Sequence, residues 1–358
     1  MKVIVVAGGT GGHIYPAIAI MNKIKEKEEN VEFLYIGTTD RMEKDIIPKL
    51  GIRFEGIPMK GLNRKNLFSN FSVFSQFMAA VKRSKELIKE FQPDVVVGAG
   101  GYITAPVLYA AHKCGVPTLI HEQNSIPGLS NKFIGNFSNT ICVSLPNSME
   151  LFPKEKVVYT GNPRSEEIMG AMPFSRSEIG FSKNKKLVII VMGSLGSTTM
   201  TEKIKELIPS FNNKDYQVLV ITGKKYYDDY KDISTSSNVQ VVPFMDNLIH
   251  LMKDCDLMVS RAGASTIAEI TAIGLPSILV PSPYVTNNHQ YKNAKELEDN
   301  GACVIVTEEE FSSKTIVSSI EDLLDHKEKY EEMSKNSRKL GIDDSATRIY
   351  QEIKKLVG

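Results

Sequence analysis

No charge of one sign dominates this chain of 358 residues: 43 lysines and arginines stand against 42 aspartates and glutamates, a formal net of +1. A general nucleic-acid binder is therefore not expected, because no global field draws a polyanion to the chain. Cysteine is scarce too. Cys114, Cys142, Cys255 and Cys303 lie far apart and lack the paired spacing of a metal site, which implies buried free thiols in a reducing compartment. Long apolar runs are missing: none approaches the ~18 residues of a membrane span. The opening MKVIVVAGG is broken by glycine too soon for a secretion signal, so the expected protein is soluble, cytoplasmic or at most peripheral. Two nucleotide signatures are absent as well. There is no Gly-Lys-Ser/Thr run of a P-loop. The first glycine cluster also fails GxGxxG, since counting from Gly9 the last required glycine falls on Ile14, and VEFLYIG ends on Gly37 rather than on an acid placed for a ribose.

What is present is an alternation of strand-like and helix-like runs. VEFLYIG, DVVVGAG, PTLIHEQ, TICVS and KVVYTG are followed by KLVIIVMG, YQVLVITG, VQVVPF, DLMVSRAG, PSILVPS and ACVIVT. Such alternation predicts an α/β fold of parallel sheets with helices on both faces. A strand running into glycine recurs in VIVVAGGTGG, VVVGAGG and VIIVMGSLG, and the copy at 187–196 restarts the pattern after a linker near GNPRSEEIMGAMPFSRSE. The length suffices for two doubly wound domains. Ligands of such sheets sit at the carboxyl ends of the strands, so the expectation is two glycine-loop domains facing across a cleft. A diphosphate held without the signatures above suggests a sugar nucleotide.

GGTGGHIYPA, residues 8–17, follows the apolar strand Val3–Val6 and leads into helical composition. Glycines let a backbone approach an anion, and a helix start offers free N–H groups at the positive end of its dipole, so the stretch is either an anion cradle or a plain tight turn.

The blocks GGTGGHIYPA, GAGGYITAP, HEQNSIPGLSNK, YTGNPR, GSLGS, SRAGASTIAEITAIGLPSILVP and NNHQYKNAKEL, in that order, resemble the MurG family of peptidoglycan glycosyltransferases. The resemblance spans nearly the whole chain and implies a GT-B fold of two Rossmann-like domains. It also implies inverting transfer of N-acetylglucosamine (GlcNAc) from UDP-GlcNAc to the 4-hydroxyl of MurNAc in undecaprenyl-diphosphoryl-MurNAc-pentapeptide, lipid I, to give lipid II. UDP-GlcNAc is then a substrate, no cofactor is expected, and other cell-wall enzymes are candidate partners. An acceptor domain at 1–161, with a helix at 342–358 crossing back onto it, and a donor domain at 162–341 are implied. The implied site residues are Thr10, Gly11, Gly12, Tyr102, Glu122 and Asn124 in the first domain, then Arg164, Ser194, Met245, Ala264, Ser265, Thr266, Glu269 and Gln290; His289 is read only as a helix cap. Leu195 stands where the family is expected to carry glutamine.

Gly263 follows the strand DLMVS, and Ala264 to Thr266 open a helix whose first amides can receive a diphosphate. Glu269, about one turn further, is either a bidentate acceptor for the two ribose hydroxyls or a dipole-stabilised helix glutamate. His13 begins a helix, where a second positive charge is disfavoured, and so suits a general base for the acceptor hydroxyl. It could equally hydrogen-bond the turn or a substrate phosphate, and Glu122 is the rival base. Asp254-Cys255-Asp256 matches an Asp-x-Asp metal pattern, yet acids at a helix-to-strand junction are commonplace, and no bound metal is expected.

Residues 56–85 carry no acid but include Lys60, Arg64, Lys65, Lys82, Arg83 and Lys85. Leu67, Phe71, Phe74, Met78 and Val81 make one helical stripe expected to be core, flanked by Phe68 and Phe77. Apolar residues beside Arg64, Lys65, Lys82 and Arg83 suit an anionic membrane surface, which predicts docking on the cytoplasmic leaflet. Two further readings stay open on residues alone: a UDP-GlcNAc 2-epimerase-like enzyme, and a non-catalytic, membrane-docked sugar-nucleotide adaptor.

Overall fold

The structure, a computed structural model, describes residues 1–61, 70–192 and 198–358, with the side chains of residues 70 and 71 excepted. Arg64, Lys65, Phe68, Ser194 and Leu195 lie outside the described residues. The chain divides into two compact units, Met1–Arg164 with Asp344–Gly358, and Ser165–Asp343.

In unit 1 the strands β1 (Lys2–Val6), β2 (Glu32–Thr38), β3 (Arg53–Ile57), β4 (Val95–Gly98), β5 (Thr118–Glu122), β6 (Thr140–Val143) and β7 (Val157–Tyr159) form one parallel sheet in the order β3-β2-β1-β4-β5-β6-β7. Val3 to Val6 and Val95 to Val97 are fully buried, as strands covered on both faces must be. The helices are α1 (Gly11–Lys27), α2 (Glu43–Ile46), α3 (Asn70–Phe91), α4 (Thr104–Lys113) and α5 (Leu129–Gly135), with α6 (Arg164–Gly170) beginning at the unit boundary. On one face α1 sets Ile14, Ala17, Ile20, Met21 and Ile24 against β1. On the other, α3, α4 and α5 pack Leu87, Ile88, Val107, Leu108 and Ile134 onto the sheet. Strand order reverses between β1 and β4. The loops after these two strands therefore meet at the switch point where an open α/β sheet leaves a crevice.

Unit 2 repeats the plan with β8 (Leu187–Val191), β9 (Gln217–Ile221), β10 (Val239–Val242), β11 (Leu257–Ser260), β12 (Ser277–Leu279) and β13 (Val304–Ile305), ordered β10-β9-β8-β11-β12-β13 and all parallel. Its helices are α7 (Thr198–Leu207), α8 (Leu248–Leu251), α9 (Ala264–Ile273), α10 (His289–Glu298), α11 (Ser313–Asp325) and α12 (Lys327–Leu340). The switch point lies between β8 and β11, so the carboxyl ends of these two strands, and the loop at 261–263 that follows β11, lie side by side there. Beyond unit 2 the chain returns to unit 1 as α13 (Ser345–Val357), which buries Ile349 and Ile353 in the same core as Ile14 and Ile20.

The stripe expected on α3 is corrected. Val81 is core, but Phe74 is 66% exposed and Met78 50%, while Val73, Ala80, Ser84, Leu87 and Ile88 are buried. Phe77 also turns inward, packing beside Tyr109 and Phe133 at ring separations of 6.4 and 6.2 Å. The apolar residues in the first half of α3 spread over roughly half of its circumference, so periodicity finds a stripe but not the face that α4 covers.

Asp254 and Asp256 likewise take a structural role. Both pair with Arg176, at 3.2 and 2.8 Å, and Asp256 also meets Lys186 at 2.9 Å. These contacts tie the segment after α6 to the amino ends of β8 and β11, the central strands of the second sheet.

Candidate functional site

In unit 1 three loops close around one imidazole. α1 starts directly after the glycine turn, with Thr10 as its N-cap in extended conformation; the Thr10 hydroxyl makes no capping bond and no acid occupies the first turn. The positive end of α1 and the amides of Gly11 and Gly12 are thus left without a capping side chain. The preceding amide is taken: Gly9 N–H donates to Glu43 Oε2 at 3.2 Å, while Glu43 Oε1 accepts from Thr38 N and Thr38 Oγ1 at 2.9 and 2.7 Å. Glu43 is fully buried, and it pins the glycine turn from behind. Only the fold brings it there, from α2, and its MEKDI context carries no signal for that role.

The second loop, Ala99–Gly101, needs its glycines. Gly100 has φ +103° and Gly101 φ +91°; a Cβ on the first would run into His13 Nδ1, and on the second into the Gly8 carbonyl. His13 therefore lies against the backbone of Gly100. Tyr102 follows, its hydroxyl accepting from Arg41 Nε at 3.4 Å.

The third loop continues β5 as His121-Glu122-Gln123-Asn124. Glu122 is buried and saturated: Oε1 accepts from Asn124 N and Nδ2 at 3.0 and 3.2 Å, and Oε2 from Gly128 N and Asn131 Nδ2 at 3.1 and 2.9 Å. With two donors on each oxygen, this carboxylate organises the loop into α5 and has no lone pair directed at a substrate. Asn124 is spent on the same anchor. Gln123, which sequence reasoning passed over, accepts from His13 Nδ1 at 3.2 Å through Oε1. Its Nε2 donates to the Ala99 carbonyl at 2.7 Å and lies 3.1 Å from His121 Nδ1. His121 is fully buried, and burial pushes its imidazole down to about 4, so the ring is neutral near pH 7. Arg164, at the end of this unit, lays its guanidinium over the Tyr15 ring of α1 at 5.7 Å.

In unit 2, Gly263 is the N-cap of α9 with an extended backbone, and again no side chain caps the helix and no acid fills its first turn. Ala264, Ser265 and Thr266 supply that turn, and Ser265 Oγ has no hydrogen-bond partner among the described residues. Glu269 is half-buried farther along the helix. The loop before α9 is held by Arg261, which pairs with Glu308 and donates to the Val280 carbonyl at 3.1 Å. Glu308 also receives Lys203 Nζ on its carbonyl and Thr199 Oγ1 on its carboxylate, so α7 and the start of α9 share one buried anchor. Arg261 sits inside the motif SRAGA, which could have flagged it; Glu308 has no such signal. Gln290, second in α10, uses Oε1 to accept from Ser282 N at 2.8 Å, leaving its amide NH₂ as the group for a ligand. His289 Nδ1 meets the Thr286 carbonyl at 2.8 Å. Met245 packs its side chain on the adjacent core. Among the described residues, no group of three His, Cys, Asp or Glu is placed to hold a metal ion.

An apolar surface adjoins the third loop. Phe74 and Met78 on α3 and Leu129 and Phe133 on α5 are exposed, linked through the Phe77–Phe133 contact, with Lys82 and Lys132 exposed on the same helices. Arg83 is drawn away by Glu55 and Glu86, each at 3.4 Å. No described helix is long and apolar enough to cross a membrane.

Residues 3–143 match the glycosyltransferase family 28 N-terminal domain and residues 187–349 its C-terminal domain. The chain is 44% identical, over the full length of both, to the UDP-N-acetylglucosamine–N-acetylmuramyl-(pentapeptide) pyrophosphoryl-undecaprenol N-acetylglucosamine transferase of Bacillus cytotoxicus. It is 41% identical to the transferase of the same name from Bacillus pumilus, with 99% of each chain covered. The crystal structure of Acinetobacter baumannii MurG superposes with a TM-score of 0.79 at 26% identity, covering 99% of both chains. A UDP-GlcNAc 2-epimerase from Neisseria meningitidis, bound to UDP-GlcNAc, superposes with a TM-score of 0.66 over 99% of this chain and 100% of that one. At 15% identity, that likeness is one of fold alone.

Proposed function

The chain belongs to glycosyltransferase family 28, in its MurG branch, and from that premise we propose how its residues divide the reaction. The protein is a UDP-GlcNAc-dependent N-acetylglucosaminyltransferase of the two-domain GT-B fold, acting on lipid I to form lipid II for peptidoglycan.

In the proposed mechanism the MurNAc 4-hydroxyl attacks the anomeric carbon of GlcNAc from the side opposite UDP. The new C–O bond forms as the bond to the diphosphate breaks, the electron pair leaves with UDP, and the hydroxyl proton passes to His13. The observation carrying this assignment is the contrast between the two candidate bases: Glu122 already accepts four hydrogen bonds, whereas His13 is engaged through Nδ1 alone among the bonds described, leaving Nε2 for the substrate. The amides of Gly11 and Gly12 and the Thr10 hydroxyl suit the acceptor's diphosphate, with Tyr102 beside them. In unit 2 the uncapped start of α9, at Ala264 to Thr266, suits the UDP diphosphate; Arg164 and Ser194 remain phosphate-contact candidates from sequence. Glu269 would accept from the ribose hydroxyls, Gln290 would donate to the sugar, and Met245 would line the uracil side.

The displacement requires neither a cofactor nor a protein-bound metal in this scheme, since helix starts supply the charge stabilisation. A lipid-linked acceptor stays in its bilayer, so the enzyme must approach it. We assign that contact to Phe74, Met78, Leu129 and Phe133 with Lys82 and Lys132, on the cytoplasmic leaflet, where each basic residue near the headgroups is worth ~1 kcal/mol. This replaces Phe77 and Arg83 of the sequence-based patch; Arg64, Lys65 and Phe68 remain candidates from sequence.

The test is turnover of labelled UDP-GlcNAc with a short-chain lipid I analogue. Wild type should yield glycosylated lipid, and His13→Ala should lose ~10² to 10⁴ in kcat with UDP affinity unchanged. Turnover within a few-fold of wild type would remove the base assignment, and release of UDP-ManNAc would point to epimerisation.

A further inference from the structure

We propose that Gln123 is a positioning residue that holds the His13 proton on Nδ1 and so keeps Nε2 free to take the proton of the acceptor hydroxyl. The proposal rests on the role of His13 given above.

The argument is a proton count along one buried chain of groups. At one end stands the Ala99 carbonyl, which can only accept. It lies 2.7 Å from Gln123 Nε2, so that atom must be the amide nitrogen; the flipped amide would set two oxygens against each other. The same nitrogen reaches His121 Nδ1 at 3.1 Å, which makes Nδ1 an acceptor. At the other end the Gly161 carbonyl, also acceptor only, lies 3.1 Å from His121 Nε2, which must then carry the ring proton. A neutral His121 satisfies both ends at once. Its full burial holds it in that state, and Ser144 Oγ, also 3.1 Å from Nε2, is compatible with it.

With the amide orientation settled, Gln123 Oε1 faces His13 Nδ1 at 3.2 Å, and a carbonyl oxygen there demands a donor. The neutral His13 ring must therefore be the Nδ1–H tautomer, with the lone pair on Nε2. The ring cannot escape by stepping sideways, because it rests on the backbone of Gly100. Gln123 and His121 are both buried, so water does not compete for the bonds that fix the amide orientation. Two backbone carbonyls, at Ala99 and Gly161, thus dictate the tautomer of a side chain that touches neither.

Full-length protein labelled with ¹⁵N-histidine, examined by two-bond ¹H–¹⁵N correlation at a pH where His13 is neutral, reads the tautomer directly; His13→Ala assigns the signals. The expected wild-type pattern is a protonated Nδ1 and unprotonated Nε2 for His13, and the reverse for His121. Gln123→Met keeps the length and removes both hydrogen-bonding ends. It should abolish the tautomer preference of His13 and lower kcat about 5- to 10-fold, the worth of one hydrogen bond, with the KM for UDP-GlcNAc unchanged. A His13 proton on Nε2 in wild type overturns the proposal whether or not the variant folds, as does a folded Gln123→Met with wild-type kcat. If His13→Ala turns over normally while the wild-type ring is Nδ1–H, the base reading fails and the tautomer assignment stands.

Discussion

Replacing Glu122 by glutamine separates a loop anchor from a chemical base. The substitution is nearly isosteric, but it converts one carboxylate oxygen into an NH₂ group. Whichever way the amide turns, two donors lose their acceptor and face another donor: Asn124 N and Nδ2 on one side, or Gly128 N and Asn131 Nδ2 on the other. A buried donor left unpaired costs about 1 to 3 kcal/mol, so the pair costs roughly 2 to 6. Relaxation of the loop from Asn124 to Gly128, which is partly accessible, brings the expectation to about 3 kcal/mol. For a unit of this size, that corresponds to a fall in melting temperature of roughly 6 to 12 °C. Calorimetric unfolding of the full chain should show the transition of unit 1 moving down while that of unit 2 stays. Turnover measured well below the lowered transition should remain within about tenfold of wild type, because the donor-side residues and His13 are untouched. An unmoved transition together with a collapse of kcat would refute the reasoning and make Glu122 the proton acceptor.

Other perturbations probe independent parts of the molecule. The fold pushes His121 down from 6.5 to about 4, so it binds fewer protons than the unfolded chain between these values. The resulting stabilisation, about 3 kcal/mol, is complete above pH 6.5 and is lost as pH falls toward 4; denaturant titrations of His121→Gln across that window should show a flatter acid limb than wild type. Glu269→Ala should raise the calorimetric dissociation constant for UDP by roughly 10- to 150-fold, the worth of charge-assisted bonds to a ribose, and unchanged affinity would remove that assignment. Phe74→Ser with Met78→Ser should reduce sedimentation with anionic liposomes at all salt concentrations, whereas Lys82→Glu should act chiefly at low salt; activity on a water-soluble acceptor should survive both.

How much of this was legible in the chain depends on how local the cause is. Val3–Val6 running into glycine, and Leu257–Ser260 running into Arg261 and Gly263, declare buried strands and the turns that follow them, because a continuous apolar run and a glycine each act at their own position. Parallel sheets with helices on both faces followed from alternation, whereas the strand order within each sheet did not. Hidden were the groups whose roles are made by distant neighbours. Glu43 meets Gly9 across 34 positions, Gln123 meets His13 across 110, and Thr199 meets Glu308 across 109. No spacing rule connects such pairs. The fate of Glu122 was hidden for the same reason, since its chemistry depends on which amides the loop folds around it. On α3, composition and period were right but phase was not: the buried line passes through Ala80 and Ser84, small residues that let α3 approach closely, and leaves Phe74 in the open.

The return of α13 to the first unit makes the second an insertion within it, and this orders the birth of the protein on the ribosome. Ile349 and Ile353 are fully buried in a core that also holds Ile14 and Ile20, Ser345 Oγ donates to the Asn162 carbonyl, and Tyr350 OH donates to Glu28. Those partners are synthesised early but must wait, with one face of α1 bare, until the whole of Ser165–Asp343 has been translated. Unit 2, continuous in sequence, can fold as it emerges; unit 1, begun first, is finished last. Unit 1 as it emerges thus exposes apolar surface that α13 later covers, and a premature stop anywhere before 345 removes both isoleucines from its core, however complete the sequence of its own sheet.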